Sequence, residues 1–391
     1  MAVSLSQHEV SDLCLGRPPL KWLPESATVG DALSQLRANT VSENCIVVWS
    51  CDPAISSPFD YEECVCLGTV CMVDIICFLV REENLARPDQ ALHSPVSVLL
   101  PKVPGLVRLV QPNYSLSKAL EILVVEGAEI LIVPIRNTRK AMKKPATRRE
   151  FCCLTREDLV RYFLNSVGLF SPLPACSISE LKLIRTDYPS LNHTAPSSKA
   201  ITALLRHVPV AVTAGGDTLI GEISPEALAL CEEAAAPALA TLYAGDLLAF
   251  LDSNAPTPFI SHIRDMCPVA LDAWSHDLTL SMLTASSEDS SEASDEEFTA
   301  GSPTGPLPPP APPVLARARR SGSFSTSRGR RAEAVVCRAW SSLVAVMVQA
   351  LAHRATHVWV CEDDECSLVG VVTFRDILGA FWDHINAPAV A

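Results

Sequence analysis

Several features that would point straight to an activity are missing from this sequence. No uninterrupted apolar run reaches the ~18 residues of a transmembrane helix, so no membrane span is expected. There is no C-x-x-C pair, so 15 cysteines in 391 residues suggest neither a zinc ribbon nor a thioredoxin-like site. Nucleophile elbow, phosphate loop and metal-protease signature are all absent, and the chain is expected not to be an enzyme. Basic charge is not in excess: 31 Lys and Arg against 44 Asp and Glu leave a net charge of −13. That argues against nucleic acid or anionic membrane as a general partner. The start, M-A-V-S-L-S-Q-H-E-V-S-D, lacks the apolar or Arg-rich stretch of a targeting peptide. A cytoplasmic location is expected, with the nucleus also open. The cysteines, among them Cys45, Cys64, Cys66, Cys71, Cys77, Cys152 and Cys153, sit mostly in apolar strand-like contexts and read as buried reduced thiols. His353, His357, Cys361 and Cys366 lie close in sequence, but His357 and Cys361 would be far apart along a strand. No metal site is expected there.

What is present is repetition. V-G-V-V-T-F-R-D-I-L-G-A-F, residues 369–381, runs from a strand-like stretch into a threonine, an acid three places on, and a helical apolar pattern. F-C-C-L-T-R-E-D-L-V (151–160) and C-L-G-T-V-C-M-V-D-I-I (66–76) align with it on Asp158 and Asp74, against Asp376. A degraded copy, L-I-G-E-I-S-P-E-A-L-A-L (219–230), keeps Ser224 but has Ala227 for the acid. A Thr followed three residues later by an acid is a capping-box pattern, so helix capping explains any single copy. It does not explain why each copy closes a similar block of helix, strand, strand and helix. In the second block these are a helix from Ser115 to Gly127, strands at 129–134 and 151–154, and the T-R-E-D helix, with an extended piece at 106–110 ahead of them. The first block has a helix from Thr28, strands at 45–49 and 65–70, and a helix from Met72. The third has a helix from Ser197, the strand pair around Gly215-Gly216-Asp217, and a helix from Pro225. The fourth has a lead strand at 335–337, a helix at 342–353, a strand at 357–361 and the closing unit. Residues 239–281 keep helical and apolar character and are expected to pack on the third block. Between blocks three and four, an acidic Ser-rich run, a Pro-rich run and an Arg/Ser/Gly-rich run read as a disordered insert over 285–333. Within it, Ser294 lies among acids, and Ser321 and Ser323 follow Arg319-Arg320, which makes all three candidate phosphorylation sites.

These runs, with G-A-E-I-L-I-V-P after the first helix of block two, resemble the CBS domain. The layout is similar to plant proteins made only of CBS repeats, which in turn resemble the gamma subunit of AMP-activated and sucrose-non-fermenting kinases. The resemblance implies an α/β fold of four α+β-type CBS repeats forming two paired modules in a disk. It places repeat 1 at 15–84, repeat 2 at 95–168, a degenerate repeat 3 with its helical extension at 176–284, and repeat 4 at 334–386. It implies an adenosine nucleotide (AMP, ADP or ATP) as regulatory ligand, with no other cofactor. Ribose contacts would come from Asp376, Asp158 and Asp74, with Thr373 and Thr155 at the hydroxyl position and Cys71 replacing it in repeat 1. His357 matches the family's phosphate-binding histidine, and Arg375 is a candidate second phosphate contact. A protein partner, with kinase catalytic or scaffold subunits as candidates, is implied, and homodimerisation through CBS modules stays open. Two readings of the caps also stay open: caps alone, in a scaffold that has lost its ligand, or caps that also hold ribose.

Overall fold

In the computed structural model, the described residues are 5, 7–38, 45–50, 65–100, 105–135, 150–252, 333–362 and 365–387. The insert expected from residue 285, with Ser294, Ser321 and Ser323, lies outside them up to residue 332. A short helix, α1 (Val10–Cys14), comes first. Repeat 1 is then β1 (Trp22–Pro24), α2 (Val29–Arg37), β2 (Cys45–Trp49), β3 (Cys66–Cys71) and α3 (Met72–Leu79). Repeat 2 is β4 (Val107–Leu109), α4 (Leu116–Val124), β5 (Ile130–Ile135), β6 (Glu150–Thr155) and α5 (Arg156–Asn165). Repeat 3 is β7 (Ser190–Asn192), α6 (Ile201–Leu204), β8 (Val210–Ala214), β9 (Thr218–Ile223) and α7 (Pro225–Ala229), followed by helices at Ala235–Thr241 and Ala244–Asp252. Repeat 4 is β10 (Val336–Cys337), α8 (Leu343–His353), β11 (His357–Cys361), β12 (Leu368–Thr373) and α9 (Phe374–Asn386). In every repeat the short lead strand pairs parallel with the middle strand, and the middle strand pairs antiparallel with the third.

The middle strands read as unbroken apolar runs because both of their faces are covered. Successive strand side chains point to opposite faces. On β5, Leu131 and Val133 enter the helical core while Ile132, with Phe151 of its own sheet, enters a cluster with Val47 and Trp49 of the facing sheet. β11 divides the same way. Val358 and Val360 join the helical core, and Trp359 and Cys361 meet Ala211 and Leu219 of repeat 3. The sheets thus pair repeat 1 with repeat 2 and repeat 3 with repeat 4. The helices pair differently: α9 packs on α4 and α5, and α3 packs on α6 and α7. At the junction of repeats 2 and 4, Phe163 and Phe381 stack at 4.4 Å, and Phe170 meets both edge-on at 5.1 Å. Such aromatic contacts add about 0.5–1.5 kcal/mol beyond area burial.

Each paired module is completed by a segment from upstream of it in the chain. Glu9 bridges Ser115 at the start of α4, and Ser177 bridges Ser342 at the start of α8. The chain then runs along the edge of the third strand. Leu20 N–H bonds the Phe151 carbonyl at 2.8 Å, while Arg185 exchanges two 2.9 Å backbone bonds with Val371. Residues 9–20 therefore dock on repeat 2, and 177–185 dock on repeat 4, each just before entering repeat 1 or repeat 3.

Close approach at this edge explains one glycine. Gly370 lies where β12 meets that segment, and a Cβ there would stand 2.5 Å from both the Arg185 carbonyl oxygen and Ile184 Cγ2. Because one of the two atoms is backbone, the segment itself must move. Gly370→Ala is expected to lower unfolding free energy by about 1–3 kcal/mol, the cost of overpacking. Urea unfolding followed by circular dichroism checks this, and a midpoint equal to wild type would show the edge to be loose.

Candidate ligand site at the helix caps

Four third strands end on polar residues that cap the helix that follows. In repeat 4, Thr373 Oγ1 donates to Asp376 Oδ2 at 2.6 Å, the Thr373 N–H donates to the same oxygen at 2.9 Å, and Asp376 N–H reaches Thr373 Oγ1 at 3.4 Å. Repeat 2 builds the same box: Thr155 N–H and Oγ1 donate to Asp158 Oδ2 at 2.8 and 3.2 Å. In repeat 1, Cys71 N–H and Sγ do so toward Asp74 Oδ2 at 2.8 and 3.1 Å. Repeat 3 keeps the cap alone, with Ala227 N–H on Ser224 Oγ at 3.3 Å and no acid. A carboxylate in the first turn suits the positive end of the helix dipole.

The second carboxylate oxygen separates the sites. In repeat 2, Arg17 pairs with Asp158 Oδ1 and also donates to Oδ2 and to the Cys153 carbonyl, each at 3.1 Å. Burial disfavours the Arg17 charge, but Asp158 more than restores it, so its pKa is raised. In repeat 1, His207 Nε2 lies 3.3 Å from Asp74 Oδ1. In repeat 4, Oδ2 holds the cap and no donor reaches Oδ1 among the described residues.

Positive charge gathers around Asp376. Arg156 of repeat 2 is largely buried, and its charge is opposed first by burial and then by Arg375, with Glu129 and Asp376 in its favour. It donates to the Ala128 carbonyl at 2.9 Å, while its Nε is buried and unbonded. Arg375 is exposed beside the cap. Arg185 also feels Asp376, but its guanidinium is held by Asp187 at 2.9 and 3.1 Å.

His357, matched to a phosphate ligand, is buried on the sheet-pairing face. Its Nε2 is 2.7 Å from Glu222 of repeat 3, and Trp359 Nε1 donates to the same Glu222 oxygen at 2.5 Å. Strand parity sets this: His357, Trp359 and Cys361 alternate onto the face that covers repeat 3. His357 is thus engaged with a carboxylate, and it stands directly opposite Thr373 on the neighbouring strand. Of His353, His357, Cys361 and Cys366, the two cysteines interact with each other and His357 is held by Glu222. Among the described residues a different trio, Cys71, Asp74 and His207, converges from two repeats. Reading the sequence alone did not single out Arg17, Arg156, His207 or Glu222. Arg17 and His207 act across 141 and 136 residues, and no local pattern announces such distant contacts.

Four β-α-β-β-α units, joined in pairs through their sheets and opening their closing helices on polar caps, define a tandem CBS-repeat protein. The CBS domain family model matches residues 341–383. CBS domain-containing protein CBSX5 of Arabidopsis thaliana is 38% identical over 97% of this chain and 98% of its own length. The SNF1-related protein kinase regulatory subunit gamma-like PV42b, also from Arabidopsis thaliana, is 23% identical over 54% of this chain and 64% of its own. Among solved structures, protein MJ1225 of Methanocaldococcus jannaschii, a candidate archaeal homologue of the AMPK gamma subunit, shares the fold with a TM-score of 0.54. That match covers 96% of this chain and 100% of the other at 11% identity. The chain belongs to the CBS domain-containing proteins, with plant relatives along its whole length.

Proposed function

We propose that this protein is a non-catalytic regulatory module that binds an adenosine nucleotide at the repeat 4 cap and passes its ligand state to a protein partner. The observation that carries the reading is the spare acceptor of Asp376. Ribose offers two hydroxyl donors, and Asp376 Oδ1 is the cap oxygen left without a donor among the described residues. Asp158 is filled by Arg17, Asp74 faces His207, and repeat 3 has Ala227. A nucleotide phosphate would find the α9 N-terminus with Arg375 and Arg156 beside it. The kinase character of the partner rests on the likeness to the gamma-like relative.

A second reading, a CBS-fold scaffold without ligand, draws on those same internal partners at Asp158 and Asp74. Equilibrium binding of radiolabelled AMP, ATP and S-adenosyl compounds to the purified full chain separates the two. The proposal expects saturable AMP binding at a single site per chain. Failure of all three ligands to saturate leaves the scaffold.

A further inference from the structure

We propose that Cys71, Asp74 and His207 form a site for a divalent transition metal of the zinc type, shared between repeats 1 and 3. It is independent of the nucleotide reading at repeat 4. Its donors are a thiol, a carboxylate and an imidazole, the ligand classes zinc takes. Cys71 Sγ is 3.1 Å from Asp74 Oδ2, Asp74 Oδ1 is 3.3 Å from His207 Nε2, and Cys71 Sγ is 3.9 Å from His207 Nδ1. Metal–ligand lengths of about 2.0–2.3 Å at tetrahedral angles put neighbouring donors roughly 3.2–3.6 Å apart. The two carboxylate spacings, 3.1 and 3.3 Å, lie close to that range, and the 3.9 Å sulfur–nitrogen one lies beyond it. They draw on both carboxylate oxygens and both ring nitrogens, so Asp74 and His207 would turn until one atom of each faces the metal.

Two local features favour this reading over a plain cap. The first is the cap residue. Repeats 2, 3 and 4 use a hydroxyl there, Thr155, Ser224 and Thr373. A thiol is the weaker hydrogen-bonding group and the better metal ligand. The second is the histidine's placement. His207 stands three residues before β8 at φ 55°, the left-handed position that Gly127 holds at φ 78° in repeat 2 and Arg354 at φ 54° in repeat 4. Its imidazole points back across the helix junction to the cap of α3. Asp74 is 8% exposed, and the His207 side chain is 43% exposed. Three protein donors with one solvent-facing side leave a coordination position open, the arrangement of a site that accepts a further ligand.

Cobalt(II) titrated into the reduced, chelator-treated full chain tests the site, since it takes the same geometry and absorbs visibly. A single tightly bound equivalent is expected, with a sulfur-to-cobalt charge-transfer band and the intense visible bands of a tetrahedral site. Cys71→Ser keeps a hydroxyl cap of the kind the other repeats use, so the fold is retained and the sulfur band should vanish. His207→Gly relieves the backbone and should weaken cobalt binding by more than the ~10–100-fold that follows loss of an outer-shell partner. Cys361→Ser and His353→Gln should change neither. The proposal is overturned if wild type binds no stoichiometric cobalt. It is equally overturned if the band survives in Cys71→Ser, or if His207→Gly binds as wild type does. The trio would then be an ion pair beside a helix cap.

Discussion

Asp376→Asn is expected to weaken AMP binding roughly 10- to 150-fold, the range that corresponds to ~1.5–3 kcal/mol for charge-assisted hydrogen bonds. Asp158→Asn should leave the affinity unchanged. The two acids end near-identical motifs and build the same capping box. They differ in their second oxygen: Arg17 fills that of Asp158, while that of Asp376 has no donor among the described residues. Asparagine is the better substitution because its amide oxygen still accepts from the cap Thr. It removes the negative charge and the second acceptor while sparing α9. Calorimetry of AMP with each variant, beside a thermal melt to check folding, reads the difference. Equal loss in both variants would mean that Arg17 yields to ligand and that the repeat 2 site is open in solution. No loss in Asp376→Asn would remove the ribose role.

The fold was legible in the sequence because every repeat carries its own local signals. Apolar strand runs and a capping hydroxyl before most of the helices recur in register, and the strand read at 357–361 is β11. Even the hairpin irregularities repeat. Gly68, Gly221 and Gly370 stand at the same place in three third strands, each next to a register shift, and repeat 2 has Cys152 and no shift. The entry segments were not legible. Nothing local in α1 says that residues 9–20 complete repeat 2 rather than repeat 1, because that docking is long-range packing.

The site was half legible for the same reason. The acids could be found from the motif, but whether each has a spare oxygen depends on a residue far away. A faint signal did exist. Arg17 and Arg185 each stand five residues ahead of a lead strand, at Trp22 and Ser190. Arg185 is followed two places on by Asp187, which captures its guanidinium. Arg17 is followed by Pro18-Pro19, with no local acid to hold it. The difference between R-T-D and R-P-P decides which arginine is left to reach a cap carboxylate.

Glu222→Ala is expected to lower stability by about 3–5 kcal/mol, the cost of removing one partner of a buried pair. Glu222 and His357 are each under a tenth exposed, and they join repeat 3 to repeat 4 beneath Trp359. Burial alone would raise the carboxyl and lower the imidazole. For Glu222, the bonds and charge of His357, with Trp359, outweigh burial and hold its pKa below the usual range. For His357, burial is outweighed by Glu222 and then by Glu226, which hold its pKa above the usual range. The signs then fix the pH window. The His357 contribution is complete below an ordinary histidine value near ~6.5 and is lost as pH rises through its raised folded value. The Glu222 contribution is complete above an ordinary glutamate value near ~4.3 and is lost as pH falls through its lowered folded value. Their joint contribution is therefore largest between about pH 4.3 and 6.5 and declines on the alkaline side as His357 gives up its proton. Urea midpoints of wild type should fall from about pH 6 into the alkaline range, and those of Glu222→Gln should fall less, because the glutamine leaves the imidazole without a charge partner. Parallel profiles for the two proteins would show that the pair is neutral in the folded state and joins the repeats as an ordinary hydrogen bond.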